Sequence, residues 1–315
     1  MRFMRKSAHR SRWVAMLALV LLVATGCGDS QEVAQEPEGG DDTERGTVVV
    51  GSTNFSEQEI VAEMYALVLE DAGYTVERRF QLGSREVVLP ALEQGEIDLY
   101  PEYVGTALEF LSGGAGEATS DTAATTEKLR ERFADKGVAV LEPAPAQDRN
   151  GLVVTQETAD RLGLETVSDL EAHAGELVFG GPPECPQRPL CLQGYEEAYG
   201  LEFAEFRPLD AAGPVTWAAL ENGDIDVALM FTTQGVIEDK GWVLLEEDAE
   251  LQPAENIVPV IREEVLTDEI ADLLDGVSAR LTTEAITALN REVDAEAADP
   301  RSVAEAWLQE NGLIS

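Results

Sequence analysis

Apolar and polar residues follow two different periods along this chain, and together they predict both strands and helices. Short apolar runs at 48–50 and 152–155 are typical of buried strands. Behind the first run, Ser56 and Glu59 predict a capping box at the start of a helix. The apolar residues of that helix recur every three to four positions: Ile60, Val61, Met64, Leu67 and Val68.

This pattern occurs twice. The segments VVVG at 48–51, GYTV at 73–76 and ALEQGEID at 91–98 are echoed by LVFG at 177–180, GLEF at 200–203 and ALENGDID at 219–226, at offsets of 129, 127 and 128 residues. Solenoid repeats are only about 20 to 50 residues long, so the repeat predicts two similar lobes with a cleft between them. Strands alternating with helices predict an α/β fold in which each lobe is a mainly parallel sheet flanked by helices.

Proline-rich and polar segments predict where the chain passes between the lobes. Such a segment lies at 143–150, and Pro253, Asn256 and Pro259 bracket a return strand at 257–261. We therefore predict that residues 47–148 and 252–315 form lobe I, that residues 149–251 form lobe II, and that the two crossings act as a hinge.

The N-terminus predicts export. Basic residues up to Arg12 precede an apolar run at 13–23 that is shorter than a membrane span, so residues 1–26 are typical of a signal peptide. Small residues directly before Cys27 indicate a bacterial lipoprotein site, with an ordinary secretory signal as the alternative. Residues 27–46 are polar and acidic and predict a disordered tether. We expect an extracytoplasmic protein, anchored to the outer face of the cell membrane through this lipid alone.

Charge and cysteine content exclude several kinds of partner. The chain has 22 Lys and Arg against 61 Asp and Glu, a net charge of −39, which disfavours nucleic acid and anionic lipid surfaces. Cys185 and Cys191 predict a disulfide in an exported protein. His173 is the one histidine outside the signal, so we expect no zinc site and no cofactor. We expect a monomer.

Catalytic motifs are absent from the sequence. It has no G-x-S-x-G, P-loop, G-x-G-x-x-G or H-E-x-x-H segment. Asp98 and Asp226 end the same Ile-Asp step in both repeats, which indicates a structural role. We therefore predict a binding protein and not an enzyme. A sensor that uses the same fold is a further alternative, and it would need an output domain.

Aromatic side chains gather at the predicted carboxyl ends of the strands, where ligands bind in open α/β sheets. These cleft candidates are Phe55, Tyr100, Tyr103, Tyr195 and Phe231. Facing rings suit a quaternary ammonium group, which cannot donate a hydrogen bond; packing in the core is the alternative. Pro101 is expected to break the strand and place Tyr100 and Tyr103 in a turn. Polar candidates at the same ends are Asn54, Thr106, Asn150 and Thr232.

Three segments carry a family resemblance. GSTNFSEQEIVAEMYALVLEDAGY, LGSREVVLPALEQGEIDLYPEYVGTAL and MFTTQG resemble, in order and spacing, the substrate-binding proteins of ABC importers for osmoprotectants of the glycine betaine, carnitine and choline type. The resemblance implies a two-lobed type II periplasmic binding protein fold, a tyrosine-rich cage around a small solute, and delivery to ABC permease subunits. It makes Tyr103 the first cage candidate, followed by Tyr100, Tyr195 and Phe231.

The sequence also departs from the family at three positions. Thr53 stands where a lysine is usual, Phe231 where a tyrosine is common, and Gln234 where an aspartate is common. The missing positive charge for a ligand carboxylate could come from Arg188, and Arg85 and Arg149 are alternatives. These departures leave open a different small zwitterionic or aromatic solute, such as an ergothioneine-like one.

Overall fold

The computed structural model describes residues 45–315, and the chain there forms two five-stranded sheets flanked by helices. The strands of the first sheet are β1 (Thr47–Gly51), β2 (Thr75–Arg79), β3 (Leu99–Tyr103), β4 (Val138–Val140) and β10 (Ile257–Arg262). The strands of the second sheet are β5 (Asn150–Thr155), β6 (Val178–Gly181), β7 (Glu205–Pro208), β8 (Val227–Phe231) and β9 (Trp242–Leu244). The predicted signal, the tether and Cys27 lie outside the described residues.

Both sheets have the same topology. The first has the order β2-β1-β3-β10-β4 and the second the order β7-β6-β8-β5-β9. In each, three neighbouring strands are parallel, and a return strand, β10 or β5, pairs antiparallel with the third. The predicted two-lobed α/β architecture is confirmed. Each sheet is mixed because its return strand arrives from the other sheet.

The repeated residues make the same contacts in both sheets. A Cβ added to Gly51 would come within 2.6 Å of the Ile97 side chain, and one added to Gly180 within 2.6 Å of Ile225. Likewise, Asp98 Oδ2 accepts the Val49 N–H, and Asp226 Oδ2 accepts the Val178 N–H, both at 2.9 Å. The aspartates of the repeated Ile-Asp step therefore fix the first strand of each sheet.

Helices cover the sheet faces. The first sheet is followed or flanked by α1 (Ser56–Asp71), α2 (Arg85–Glu93), α3 (Val104–Ser112) and α4 (Thr122–Ala134). The second has α5 (Gln156–Leu162), α6 (Leu192–Tyr199), α7 (Pro214–Glu221), α8 (Val236–Asp239) and short 3-10 turns at Ser168–Ala172, Ala174–Glu176 and Cys185–Gln187. The C-terminal helices α9 (Asp268–Ser278), α10 (Thr283–Asp294) and α11 (Pro300–Glu310) pack against α1. None of the helices in this described part has the length and apolar character that a bilayer crossing needs.

The predicted capping box at α1 is wrong. The helix begins at Ser56, but its N-cap is Phe55, which makes no side-chain cap. The Ser56 hydroxyl instead donates to Asp294 Oδ1 at 2.6 Å. Its hydrogen bond therefore ties α1 to α10 and does not satisfy the helix end.

Pro101 does not break β3. In the antiparallel pairing of β3 with β10, Pro101 lies opposite Pro259. Residues opposite each other in an antiparallel pair either exchange both hydrogen bonds or none, so two facing prolines occupy a position that needs no N–H donor. Tyr100 and Tyr103 therefore both belong to one continuous strand and not to a turn.

The chain passes from the first sheet to the second after β4 and returns before β10, and the two connecting segments lie side by side. Asp148 N–H donates to the Glu255 carbonyl at 3.0 Å, and Ile257 N–H donates to the Ala146 carbonyl at 3.1 Å. These backbone bonds bring two acidic residues, Asp148 and Glu255, to the boundary between the sheets.

Candidate functional site

A cavity of about 440 Å³ lies between the two sheets. Its walls come from the turn between β1 and α1, the end of β3, the start of α2 and α3, the segment around the two cysteines, and the end of β8. This position is the one at which open α/β sheets bind ligands, and the volume is in the usual range for small-molecule sites.

Three aromatic rings form one wall of the cavity. Phe55 and Tyr103 come from the first sheet and Phe231 from the second. The Phe55 ring lies 6.3 Å from that of Tyr103 at an interplanar angle of 20°, and 4.7 Å from that of Phe231 at 40°. Phe55 is therefore the ring that joins the aromatic residues of both sheets.

Tyr103 is held by a buried glutamate. Its hydroxyl donates to Glu57 Oε1 at 2.7 Å. Glu57 Oε2 accepts from the Thr233 hydroxyl at 2.6 Å and from Asn290 Nδ2 at 2.7 Å. Burial raises the pKa of Glu57 above its usual value, although these hydrogen bonds oppose the shift. Glu57 therefore connects α1 with β3, with the turn after β8, and with α10.

Asp148 lies beside Glu57 and lines the cavity. Its Oδ1 accepts the Thr233 N–H at 3.2 Å and the Thr232 hydroxyl at 3.3 Å. Burial, followed by the charge of Glu57, raises the pKa of Asp148 well above its usual value. Thr233 bridges the two acids, because its N–H donates to Asp148 and its hydroxyl donates to Glu57. Asp148 and Glu57 therefore form an acid pair whose two carboxyl groups oppose each other's ionisation.

The charge of Arg85 is neutralised within the site by a carboxylate of the protein. Arg85 donates to Glu102 Oε1 at 2.5 Å and to Oε2 at 2.7 Å, and Arg85 Nη2 also reaches Thr106 Oγ1 at 2.7 Å. Burial alone would lower the pKa of Arg85, but the charge and hydrogen bonds of Glu102, with smaller effects of neighbouring groups, together raise it, so the guanidinium stays charged. The Thr106 hydroxyl donates to Glu255 Oε2 at 3.3 Å, and burial raises the pKa of Glu255 to about 8.

The predicted disulfide between Cys185 and Cys191 is present, and its loop forms another wall of the cavity. The Leu190 carbonyl accepts from Asn150 Nδ2 at 2.9 Å, which holds the loop in place. Arg188 crosses to the first sheet, where its Nη2 lies 2.9 Å from Glu86 Oε2.

Seven of the ten candidate binding residues line this cavity. They are Asn54, Phe55, Tyr103, Thr106, Asn150, Arg188 and Phe231. Asn54 is exposed, whereas Thr106 and Asn150 use their side chains in the hydrogen bonds described above. The Arg188 guanidinium contacts Glu86 and also Glu184 at 3.4 Å, so it is occupied by carboxylates of the protein.

Tyr100 is not part of the aromatic wall. Successive side chains of a strand point to opposite faces, so Tyr100 and Tyr103, three positions apart in β3, lie on opposite faces. Tyr100 is fully buried with the residues between the sheet and helices α2 to α4, and its hydroxyl donates to Glu102 Oε1 at 3.0 Å. Its assignment to the cage is corrected to a core position.

Tyr195 and Thr232 also lie outside this cavity. Tyr195 in α6 is fully buried in the core of the second sheet, with its ring 6.4 Å from Phe179 and 6.2 Å from Tyr199. Thr232 follows β8, and its hydroxyl accepts the Arg149 N–H at 2.9 Å. It lines a smaller cavity on the other side of the connecting segment. Both residues therefore have structural contacts in place of the predicted ligand contacts.

No pattern in the sequence singles out the buried acids of the site. Glu57 occupies the first turn of a helix and Asp148 a polar connection, and acidic residues are common at both kinds of position.

Gln234, one of the family departures, uses its amide to hold the turn: Nε2 donates to the Ala212 carbonyl at 2.8 Å, and Oε1 accepts the Phe231 N–H at 3.2 Å. Within residues 45–315, no group of three or more His, Cys, Asp or Glu side chains is placed to hold a metal ion.

Comparison with known proteins agrees with this geometry. Residues 46–310 match the family described as the substrate binding domain of the ABC-type glycine betaine transport system. A glycine-betaine-binding protein of Pseudomonas aeruginosa is 32% identical over 281 residues, 85% of this chain and 89% of that protein. The ergothioneine transport permease/ergothioneine binding protein EgtU of Helicobacter pylori is 26% identical over 84% of this chain and 48% of its own length.

A solved structure supports the fold directly. The crystal structure of a glycine betaine/carnitine/choline ABC transporter is 25% identical, covers 85% of this chain and 100% of its own, and has a TM-score of 0.67. The two-lobed type II periplasmic binding protein fold and the resemblance inferred from the sequence are confirmed. Members of this family are extracytoplasmic solute-binding proteins that work with permease subunits. The chain belongs to the family of substrate-binding domains of ABC-type glycine betaine transport systems.

Proposed function

We propose that the protein captures a small solute with a quaternary ammonium group, of the glycine betaine, choline or carnitine type, and delivers it to the permease subunits of an ABC importer. The observation that carries this proposal is the wall formed by Phe55, Tyr103 and Phe231, which joins rings from both sheets at one cavity. A quaternary ammonium ion is attracted to the faces of aromatic rings and needs no hydrogen-bond acceptor.

The two sheets would act as the two halves of a trap. Residues 47–148 and 252–315 would move as lobe I and residues 149–251 as lobe II, with the paired connecting segments as the hinge. In this scheme Arg188 of the second sheet and Glu86 of the first hold the cavity closed on one side, because their ion pair spans the boundary. The protein would work as a monomer, fixed to the outer face of the membrane by a lipid on Cys27.

An ergothioneine-type solute is the second candidate. Ergothioneine also carries a quaternary ammonium group, and the Helicobacter pylori relative is named for it. The hydroxyl of Thr53, which replaces the usual lysine, lines the cavity and has no hydrogen-bond partner among the described residues. A cavity of about 440 Å³ has room for the larger solute.

The test is a calorimetric titration with glycine betaine, choline, carnitine and ergothioneine. The variant Tyr103→Leu keeps apolar volume but removes the ring, and we expect it to weaken binding of the preferred solute by at least about tenfold, or about 1.4 kcal/mol. Tyr74→Leu is the matched control, because Tyr74 lies outside the cavity and bonds Glu269. Equal affinity in the Tyr103 variant and the wild type would refute the aromatic site.

A further inference from the structure

The carboxyl groups around the cavity are not equivalent. Six acidic residues line it: Glu86, Glu102, Glu109, Asp148, Glu184 and Glu255. Two arginines line it as well, Arg85 and Arg188, and both are already paired with carboxylates of the protein. A positively charged ligand therefore meets an acidic wall. The acid that can pair with it is one that is not already paired with a cation of the protein.

Most of the acids are occupied by strong partners. Both carboxylate oxygens of Glu102 accept from Arg85, through Nε and Nη2. Arg188 contacts both acids of the rim, Glu86 and Glu184. The Glu109 carboxylate accepts two backbone N–H groups, at 2.9 Å and 2.6 Å, and so closes its own loop. Glu255 already lies near a cation of the protein, because the charge of Arg85 lowers its pKa against the larger effect of burial.

Asp148 differs from all of these. Its hydrogen bonds come from the Thr233 N–H at 3.2 Å and the Thr232 hydroxyl at 3.3 Å, and neither donor is charged. Its neighbour Glu57 is likewise bound by neutral donors only. The salt bridges found within residues 45–315 include neither acid.

The acid pair lies next to the aromatic wall. Tyr103 donates to Glu57, and Tyr103 and Asp148 line the same cavity. Burial raises the pKa of the Tyr103 hydroxyl, and the charges of Glu57 and Asp148 add to that shift. Phe231 directly precedes the turn that holds Asp148, and Phe55 directly precedes the helix that carries Glu57. The rings and the acid pair are thus parts of one surface.

Other groups around the pair leave its charge uncompensated. Asp294 of α10 adds a further acid near Glu57; burial, with a smaller contribution from the charge of Glu57, raises the pKa of Asp294 to about 6. Arg149, the next residue along the chain from Asp148, directs its Nη2 to Gln147 Oε1 at 2.9 Å and lines the smaller cavity. When two carboxyl groups are buried side by side without a cation, ionising both costs free energy because the two negative charges repel each other. A ligand cation next to them lowers that cost and favours the charged form.

On the basis of the proposed function, we propose that Asp148 is the counter-charge for the ligand's positive group, with Glu57 as the residue that positions Asp148 and Tyr103 around it. The rings attract any compact apolar cation through their faces, and the carboxylate adds a charge interaction in a water-poor site. The site therefore selects for the charge of the ligand as well as for its shape.

The experiment compares each quaternary amine with a carbon isostere that has the same shape and lacks the positive charge. The pairs are choline with 3,3-dimethylbutan-1-ol, and glycine betaine with 3,3-dimethylbutanoate, titrated by calorimetry into the wild-type protein. We expect the amine of the pair that binds to be favoured over its isostere by at least about tenfold. An isostere that binds as tightly as its amine overturns the proposal, and this result needs no variant.

Two isosteric variants then assign the preference. Asp148→Asn is expected to weaken amine binding by at least about tenfold while leaving isostere binding unchanged, so that the preference disappears. Glu57→Gln leaves Asp148 as the single acid and is expected to keep the preference. Glu221→Gln, which removes an acid paired with Lys240 on the surface, controls for the general loss of negative charge.

The outcomes separate this inference from the function beneath it. Equal losses of amine and isostere binding in Asp148→Asn indicate a purely structural residue and overturn the counter-charge role, while the transport proposal stands. The counter-charge role is also overturned if Asp148→Asn keeps the wild-type preference, or if Glu221→Gln loses it. If the wild-type protein binds neither choline, glycine betaine, carnitine nor ergothioneine, the proposed function fails, and the counter-charge role fails with it.

Discussion

Replacing Glu255 by glutamine should change how the stability of the protein depends on pH. Burial raises the pKa of Glu255 from 4.5 to about 8, and the residue is only 1% exposed. Because the folded pKa is above the unfolded one, the folded state holds the proton more tightly. The stabilisation from this group is fully present below the unfolded pKa and is lost as the pH rises toward 8.

The magnitude follows from the two pKa values. Between about pH 5 and about pH 7, the unfolded chain releases this proton while the folded protein keeps it, which costs the wild type about 2 to 3 kcal/mol of unfolding free energy. Glutamine does not titrate, so Glu255→Gln escapes that loss. The variant should therefore gain about 2 to 3 kcal/mol relative to the wild type over this interval.

Urea unfolding, followed by circular dichroism at both pH values, measures the effect. The difference between the wild-type and variant midpoints should shift by roughly 1 M urea between the two pH values. Taking the difference at each pH cancels the contributions of Glu57 and Asp148, whose raised pKa values act on both proteins alike. A midpoint difference that stays constant with pH would show that the Glu255 carboxyl ionises in the folded protein as it does in water.

The cysteines give two further predictions. Changing Cys185 and Cys191 together to serine should lower the unfolding free energy by about 2.4 kcal/mol, the chain-entropy value for a loop of about seven residues. The double variant should also bind the solute more weakly, because the loop forms a cavity wall. An unchanged urea midpoint and an unchanged affinity would contradict this prediction. Cys27→Ser should move the exported protein from the membrane fraction of a bacterial host to the soluble fraction, whereas the wild type is expected to sediment with membranes through its lipid. If both proteins partition equally, the signal is an ordinary secretory one.

The conformation of β3 shows why local reasoning about Tyr100 and Tyr103 failed. Pro101 normally argues against a strand, yet here it lies opposite Pro259, more than 150 residues away in the sequence. Once the segment is a strand, the alternation of its side chains sends Tyr100 into the core and Tyr103 to the cavity. The pairing partner, which no local pattern identifies, thus decides which tyrosine can meet a ligand.

The buried acids Glu57 and Asp148 could not be predicted for the same reason: distant parts of the chain create their environment. Glu57 and Asp148 lie 91 positions apart, one in an ordinary helix start and the other in an ordinary connection. Their environment comes from Thr233 and Asn290, which belong to the second sheet and to the C-terminal helices. Because burial and neighbouring charge set a pKa, chemistry of this kind exists only where separate segments are folded together.

The sequence by itself determined the architecture. The doubled strand-helix-strand pattern, the matched glycines Gly51 and Gly180, and the aspartates Asp98 and Asp226 are local signals whose physical requirements are met within each repeat. The sequence also predicted that Phe55, Tyr103 and Phe231 lie at the cleft, because they follow strand ends, where such folds bind ligands. Only the tertiary structure decided which aromatic residues face the cavity, which arginines are already neutralised and which carboxyl groups are paired with a cation of the protein, since each depends on contacts between distant parts of the chain.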